Sequence, residues 1–233
     1  MNLNYIQKRI SHARCSVMFD IDETILLCLE KWQQYIKSEM GINITLQEII
    51  NAGSVDNVFS STPIYPEFVK IAEKLRASDE FNSGQPVIEG SLDAFKKLKN
   101  NSGLVMGAYI TARPTNVINA TKADLVKNGF PPLPILARPN GIDHQSSIDW
   151  KLNILAQLNV AFNGVLIMVD DNLELAKALR ERNSKDQKYI VTILYKGPLT
   201  SNLIKRDNIT TCEAEHFYIA DWVDIPVICS RYC

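Results

Sequence analysis

Two aspartates one residue apart, Asp20 and Asp22, stand in the stretch SVMFDIDETILL over 16–27, between two apolar runs. Residues i and i+2 of an extended segment share a face, roughly 7 Å apart at Cα. Two carboxylates so placed repel unless a cation or a proton intervenes, so the pair asks for a metal. Helix chemistry offers a plainer account of one acid: Asp22 or Thr24 could cap a helix running through Ile25, Leu26, Leu29 and Trp32. Asp20 falls outside that account. It follows Val17, Met18 and Phe19 directly, and a run apolar on both faces suggests a strand buried on both sides, as in a parallel sheet covered by helices. Such sheets bind ligands at the carboxyl ends of their strands, which is where Asp20 would stand.

The elements that must position these acids are legible as an alternation. Strand-like stretches occur at 16–20, 104–110, 134–138, 164–170, 189–195 and 216–221. Helical patterns lie between most of them. One puts Leu92, Phe95 and Leu98 on one face; another starts at a capping Thr115 and stops at Gly129, with Pro131 and Pro132 beyond. The alternation predicts an α/β fold, a doubly wound and mostly parallel sheet with helices on both faces. The segment 27–87 breaks it, with two helical patterns (27–41 and 65–78) joined by a middle rich in Asn, Ser, Thr and Gly. The predicted organisation is a core of 1–26 and 88–233 with a small helical insertion, 27–87, after the first strand.

Each strand's carboxyl end is then a place to look for chemistry. The second core strand ends at Thr111, followed by Arg113; a threonine there can equally begin a turn. The fourth ends at Asp170 and Asp171, which can equally open the next helix, where acids suit the dipole. Four acids at one sheet mouth are hard to hold ionised without a hard cation, and oxygen ligands suit Mg²⁺. An amphipathic helix with Ile148, Leu152, Leu155 and Leu158 inward places Lys151 near its first turn, an end where cations are mildly disfavoured.

In order, Asp20-x-Asp22-x-Thr24, Thr111, Lys151 and Asp170-Asp171 resemble the four motifs of the haloacid dehalogenase superfamily of phosphohydrolases, over about residues 16–195. The resemblance implies a Rossmann-like core and roles position by position. Asp20 corresponds to the nucleophile that forms an aspartyl-phosphate. Asp22 corresponds to the acid that protonates the leaving oxygen and later activates water; the dehalogenase branch lacks it. Thr111 and Lys151 would bind the transferring phosphoryl group, with Arg113 as a further candidate for substrate or phosphate. Asp20, Asp170 and the backbone carbonyl of Asp22 would hold Mg²⁺, with Asp171 as a supporting ligand or a neighbour of the ligands.

Many relatives carry Gly where this chain has Glu23, and the sequence Asp-Glu-Thr also occurs in members that act on phosphoproteins. Those members generally lack a helical insertion here, and the insertion of this chain resembles the helical caps that close over small substrates. Its aromatic residues Trp32, Tyr35, Phe59, Tyr65 and Phe68 fit the interior of such a cap, and none is assigned to binding. The expected activity is a Mg²⁺-dependent hydrolysis of small phosphorylated metabolites. Alternatives are a protein phosphatase or phosphomutase of the same superfamily, or a phosphoryl-binding regulatory protein. Receiver modules share the residue types, but their acidic pair comes early in the chain.

The composition narrows the partners. Of the 233 residues, 46 % are hydrophobic and 22 % charged, and the net charge is −1, which leaves no basic footprint for nucleic acid. The longest aliphatic run, 165–169, is too short to span a bilayer and the first residues are too polar for a signal-peptide core. Five cysteines at irregular spacings read as reduced thiols. The expectation is a cytoplasmic protein with a small phosphorylated substrate, and no membrane or nucleic-acid partner.

Overall fold

The computed structural model describes residues 3–144, 146–183 and 188–233. Helix α1 (Leu3–Ile10) precedes the first strand, β1 (Cys15–Phe19). Four helices follow β1 in succession: α2 (Leu29–Met40), α3 (Leu46–Ala52), α4 (Val55–Phe59) and α5 (Tyr65–Arg76). Thereafter helices and strands alternate: α6 (Ser91–Lys99), β2 (Leu104–Pro114), α7 (Ile118–Lys127), β3 (Ile135–Arg138), α8 (Ser147–Ala161), β4 (Val165–Asp170), α9 (Leu173–Asn183) and β5 (Ile190–Tyr195). Helix α10 (Pro198–Arg206), β6 (Phe217–Ala220) and α11 (Ile225–Ser230) complete the chain.

The six strands form one all-parallel sheet in the order β3-β2-β1-β4-β5-β6. This is an α/β Rossmann-like sheet, and its order reverses at β1, beside which the ends of β1 and β4 lie together. Every residue of β1 is buried. Alternate side chains go to opposite layers, as the period of two in a strand requires. Val17, Phe19, Ile167 and Val169 join one apolar cluster with Phe95, Tyr109 and Trp222. Met18, Leu166 and Met168 join the other, with Ile6, Leu155 and Leu158. The continuous apolar runs thus reflect helices on both faces.

The helices of the 29–76 segment bury a separate apolar cluster that includes Trp32, Ile36, Ile49, Phe59, Phe68 and Phe81. Phe59 and Phe68 stack with centroids 4.5 Å apart, which places two of the expected interior aromatics. The middle rich in Asn, Ser, Thr and Gly, where the sequence shows no helical pattern, carries two short helices. Thr45 and Glu48 form a reciprocal capping box that starts α3, and the Ser54 hydroxyl accepts from Asn57 N to start α4. Both helices are short, so composition outweighed their cap signals.

Other boundaries also moved. Helix α2 begins after Cys28, which makes no side-chain cap bond, so neither Asp22 nor Thr24 is a helix cap. Helix α7 begins three residues beyond Thr115, whose hydroxyl bonds Asn140 instead. Strand β2 runs to Pro114 through a register shift that follows Thr111.

Cys15 and Cys233 are joined as a disulfide, their Cα atoms 5.4 Å apart. This corrects the reading of five reduced thiols; Cys28, Cys212 and Cys229 are free. With the partners 218 positions apart in the chain, spacing carried no signal, and only the return of Cys233 to the start of β1 brings them together. No described helix is long and apolar enough to cross a membrane.

Candidate active site

Strand β1 ends at Phe19, so Asp20 is the first residue past the sheet; its N–H still donates to Val169 O of β4, at 2.9 Å. Asp170, the last residue of β4, lies beside it. Lys151, one turn into α8, reaches both: its Nζ is 2.8 Å from Asp20 Oδ1 and 2.8 Å from Asp170 Oδ2. All three residues are buried. Asp170 Oδ1 accepts from Asn172 N at 2.9 Å. Asp171 is held by Thr24, whose hydroxyl donates to Asp171 Oδ1 at 3.2 Å and accepts from Asp171 N at 3.1 Å. Thr24 O in turn accepts from the Trp222 indole at 2.8 Å, so the loop after β1 is pinned to the loop after β4 and to the core.

Asp20, Asp170 and Asp171 each offer an oxygen within 4.8 Å of the others. Against these three carboxylates the cluster sets the single ammonium of Lys151. Burial pushes Asp20 up to about 7 despite the pull of Lys151, with Asp170 and Asp22 adding to the rise. Asp171 is pushed well above the ordinary carboxylate range by burial and by Asp170 and Asp20. Burial lowers Lys151, but Asp170 and Asp20 outweigh it and hold the ammonium above the usual lysine range. An all-oxygen donor set with excess negative charge fits a hard divalent cation. The cluster opens on a cavity of about 150 Å³ that Asp22, Ala112 and His144 also line.

The Asp22 side chain is not part of that acidic group. Arg113 grips it with Nε 3.0 Å from Oδ2 and Nη2 2.7 Å from Oδ1. The same guanidinium donates to Asn82 O and Thr121 Oγ1, each at 3.1 Å, and to Gln85 Oε1. Every face of Arg113 is therefore engaged by protein, and it meets Asp22 rather than the acidic cluster. Thr111 is fully buried, and its hydroxyl oxygen accepts from Arg113 N at 3.2 Å. Ala112, not Thr111, lines the cavity.

A second cavity, of about 140 Å³, lies between the 29–76 helices and the sheet edge. It shares Asp22, Ala112 and His144 with the first, so the two adjoin at these residues. Leu29, Trp32, Val55, Phe81 and Leu199 supply its apolar wall; Glu23, Arg76 and Asn82 are among its polar lining. Arg76 is neutralised by Asp56 at 2.6 Å and lies over the Trp32 ring at 5.0 Å. Glu73, on α5, binds Arg138 Nη2 at 3.1 Å and the His144 amide at 3.1 Å, which ties this helix to the loop after β3.

Of the residues singled out in the sequence, Asp20, Lys151, Asp170 and Asp171 converge on one cavity, with Asp22 on its rim. Glu23 was noted there only as a departure. His144, Asn82, Gln85 and Arg76 were missed. No local pattern marked them, since none stands at a strand end or in a spaced motif.

No protein-family model matches the sequence, and no curated protein matches it either. Solved structures do match. One is a protein assigned as a phosphoglycolate phosphatase from Lactobacillus plantarum, with 13 % identity, a TM-score of 0.59, and 93 % of this chain and 99 % of that one covered. A haloacid dehalogenase-like hydrolase from Burkholderia xenovorans has 15 % identity and a TM-score of 0.51, over 92 % and 98 % of the two chains. A protein assigned as a beta-phosphoglucomutase from Bacteroides vulgatus has 14 % identity and a TM-score of 0.51, over 99 % of each. The fold is therefore that of the haloacid dehalogenase-like hydrolases.

Proposed function

We propose that this chain is a Mg²⁺-dependent phosphomonoester hydrolase that works through an aspartyl-phosphate on Asp20 and acts on small phosphorylated compounds. The observation that carries the reading is the convergence of Asp20, Lys151, Asp170 and Asp171 on one cavity, with Asp22 at its rim. An Asp20 oxygen attacks phosphorus, and the bond from phosphorus to the leaving oxygen breaks with its electron pair on that oxygen. Asp22 supplies the proton. In the second step a water attacks the aspartyl-phosphate, Asp22 takes a proton from it, and the Asp20 carboxylate is regenerated with release of phosphate. Lys151 offsets the charge of nucleophile and phosphoryl group, since phosphoryl transfer rests mainly on positioning and electrostatic stabilisation. Thr111 lies behind the cavity wall and supports the site indirectly, its hydroxyl oxygen accepting from the N–H of the Arg113 that grips Asp22.

Asp20, Asp170 and Asp171, with the backbone carbonyl of Asp22, are the groups that would hold Mg²⁺, which when bound draws charge from the phosphoryl oxygens and lets an anionic nucleophile approach an anionic ester. The 29–76 helices act as a cap that encloses the leaving group and excludes water. The small size of the cavity beneath them supports a small ester over a phosphoprotein. A phosphomutase would use the same first step and is kept as the alternative; it differs in passing the phosphoryl group to a second hydroxyl rather than to water.

Purified protein incubated with a panel of phosphorylated metabolites should release inorganic phosphate with Mg²⁺ and none with excess chelator. Phosphate release that persists undiminished in chelator excludes the metal role. Isomerisation of a sugar phosphate without phosphate release selects the mutase.

A further inference from the structure

Resting on the hydrolase reading above, the geometry points to Trp222 as a positioning residue for the Mg²⁺ site: its indole N–H fixes the backbone at Thr24, and Thr24 holds Asp171 in the acidic cluster. Trp222 stands two residues past β6, the edge strand of the sheet. Its Nε1 donates to Thr24 O at 2.8 Å. The Thr24 hydroxyl accepts from Asp171 N at 3.1 Å and donates to Asp171 Oδ1 at 3.2 Å. The chain of contacts therefore runs from the aromatic core to one of three carboxylates that lie close enough to share a cation.

A buried indole N–H usually finds some partner, so the bond by itself says little. Its acceptor is what matters. Thr24 is fully buried and follows Glu23, whose φ of +57° lies in the left-handed region, a conformation that persists only where the surroundings impose it. A buried carbonyl deprived of its donor is costly, and a loop so placed turns to find another. Because the same residue carries the hydroxyl that binds Asp171, that turn reaches Asp171 with no residue in between.

Asp171 depends on such support. Lys151 bridges Asp20 and Asp170, whereas Asp171 is held by two threonines: Thr24, and Thr200 of α10, whose hydroxyl donates to Asp171 O at 2.8 Å. Of these two, Thr24 is the one that grips the carboxylate. The indole is in turn fixed. It is 2 % exposed, with ring centroids 5.7 Å from Tyr195, 5.8 Å from Phe95 and 6.4 Å from Phe19. Tyr195 and Phe19 are the last residues of β5 and β1, so the ring is clamped at the same sheet edge as the acids. Groups behind a metal ligand set its orientation, and removing one typically weakens metal binding about 10- to 100-fold.

The test is calorimetric titration of the whole chain with MgCl₂, which needs no substrate. Thr24→Val should raise the Mg²⁺ Kd by roughly 10- to 100-fold. Trp222→Phe, which removes one neutral hydrogen bond a step further out, should raise it by about 3- to 10-fold. The double variant should bind no more weakly than Thr24→Val alone, since both losses act through one hydroxyl; additive losses overturn the proposal. Phe95→Leu loosens the packing around the same ring without touching the bond, so it should lower Tm and leave the Kd unchanged. An equal weakening by Phe95→Leu overturns the proposal, as an effect of a softened core. Should the smaller ring at 222 unfold the chain, benzothienylalanine at that position keeps the bicyclic shape and exchanges only the N–H for sulfur, with the same weakening expected. In turnover assays the Mg²⁺ concentration for half-maximal rate should rise with the Kd, while KM for the ester at saturating Mg²⁺ stays put. If the wild type binds Mg²⁺ and Trp222→Phe binds it as tightly, the proposal falls and the hydrolase reading stands. If the wild type binds none, the metal reading fails and takes the proposal with it.

Discussion

The two cavities that meet at Asp22 are built on different terms. The one at the sheet edge is charged and tightly partnered: Lys151 bridges Asp20 and Asp170, Asn172 N bonds Asp170, and Thr24 holds Asp171. All of these lie at the carboxyl ends of β1 and β4 or one turn into α8. The other, under the cap, is mainly apolar, and its polar members come from loops and helices remote in sequence. Glu23, in its lining, keeps one buried carboxyl oxygen without a hydrogen-bond partner, and Nδ1 of His144, which both cavities share, likewise has none; in the first cavity Asp20 Oδ1 has only the Lys151 ammonium. A site that performs one reaction needs its groups fixed in advance, whereas a site that selects among substrates works through the shape and polarity of its wall.

If that contrast holds, damage to the first cavity should remove chemistry and damage at the junction should alter it. The largest effect belongs to Asp20→Asn, which keeps the shape and removes the proposed nucleophile; kcat should fall by more than about 10³-fold on every ester. Steady-state kinetics on protein prepared free of wild type checks this, and substantial residual turnover would break the assignment.

Asp22→Asn comes next and should be selective. General-acid assistance is worth roughly 10² to 10⁴ in rate, so single-turnover cleavage of an alkyl phosphate should slow by about that much. A nitrophenolate leaves without protonation, so p-nitrophenyl phosphate should slow visibly less. Rapid-quench measurement of the first turnover separates this from the second step, which also uses Asp22. An equal loss on both esters would make Asp22 an orienting group.

Arg113→Lys keeps the charge at the junction and removes the bidentate grip. Misplacement of a reacting group by an ångström or so costs up to about 10²-fold. The expected loss in kcat is roughly 10- to 100-fold, smaller for p-nitrophenyl phosphate, with little change in KM. A change confined to KM would mean that Arg113 contacts substrate directly.

The smallest effect tests the acidic cluster without any substitution. Burial holds Asp20 up at about 7 and Asp171 well above the ordinary range. From roughly pH 4, where free carboxyls ionise, up to about 7, the metal-free folded chain keeps protons that the unfolded chain has lost. Its stability therefore falls as pH rises through that window. Thermal melts in chelator should show Tm dropping by several degrees over it, and Mg²⁺ should flatten the slope by binding the ionised cluster. A slope that Mg²⁺ leaves unchanged would count against the metal.

Much of the core was legible because its signals are local. An apolar run ended by an acid places Asp20 and Asp170 wherever a buried strand meets its loop, and the helix that follows β3 brings Lys151 within reach. The cap was legible as helical only where its patterns were long; α3 and α4 were read as a polar linker although Thr45 and Glu48 spell a capping box. Arg113 was read toward phosphate because its neighbours at the strand end are, yet the structure fills its donors with Asp22, Asn82, Thr121 and Gln85. The Cys15–Cys233 bond was invisible for the same reason as those contacts, since its partners are far apart in the chain.

By itself, then, the sequence determined the alternation of elements, the sheet edge at which the acids gather and the order of the four motif positions. These depend on burial periodicity and on where a strand stops, and both are properties of a few neighbouring residues. Only the tertiary structure decided that Asp22 faces Arg113 and that Glu23 and His144 line one cavity with it. Those outcomes depend on how the cap helices seat on the core through Glu73 and Arg138 and through α10 against α3. Apolar side chains of similar size pack such a seam in many ways, so no short stretch of the chain records which way was taken.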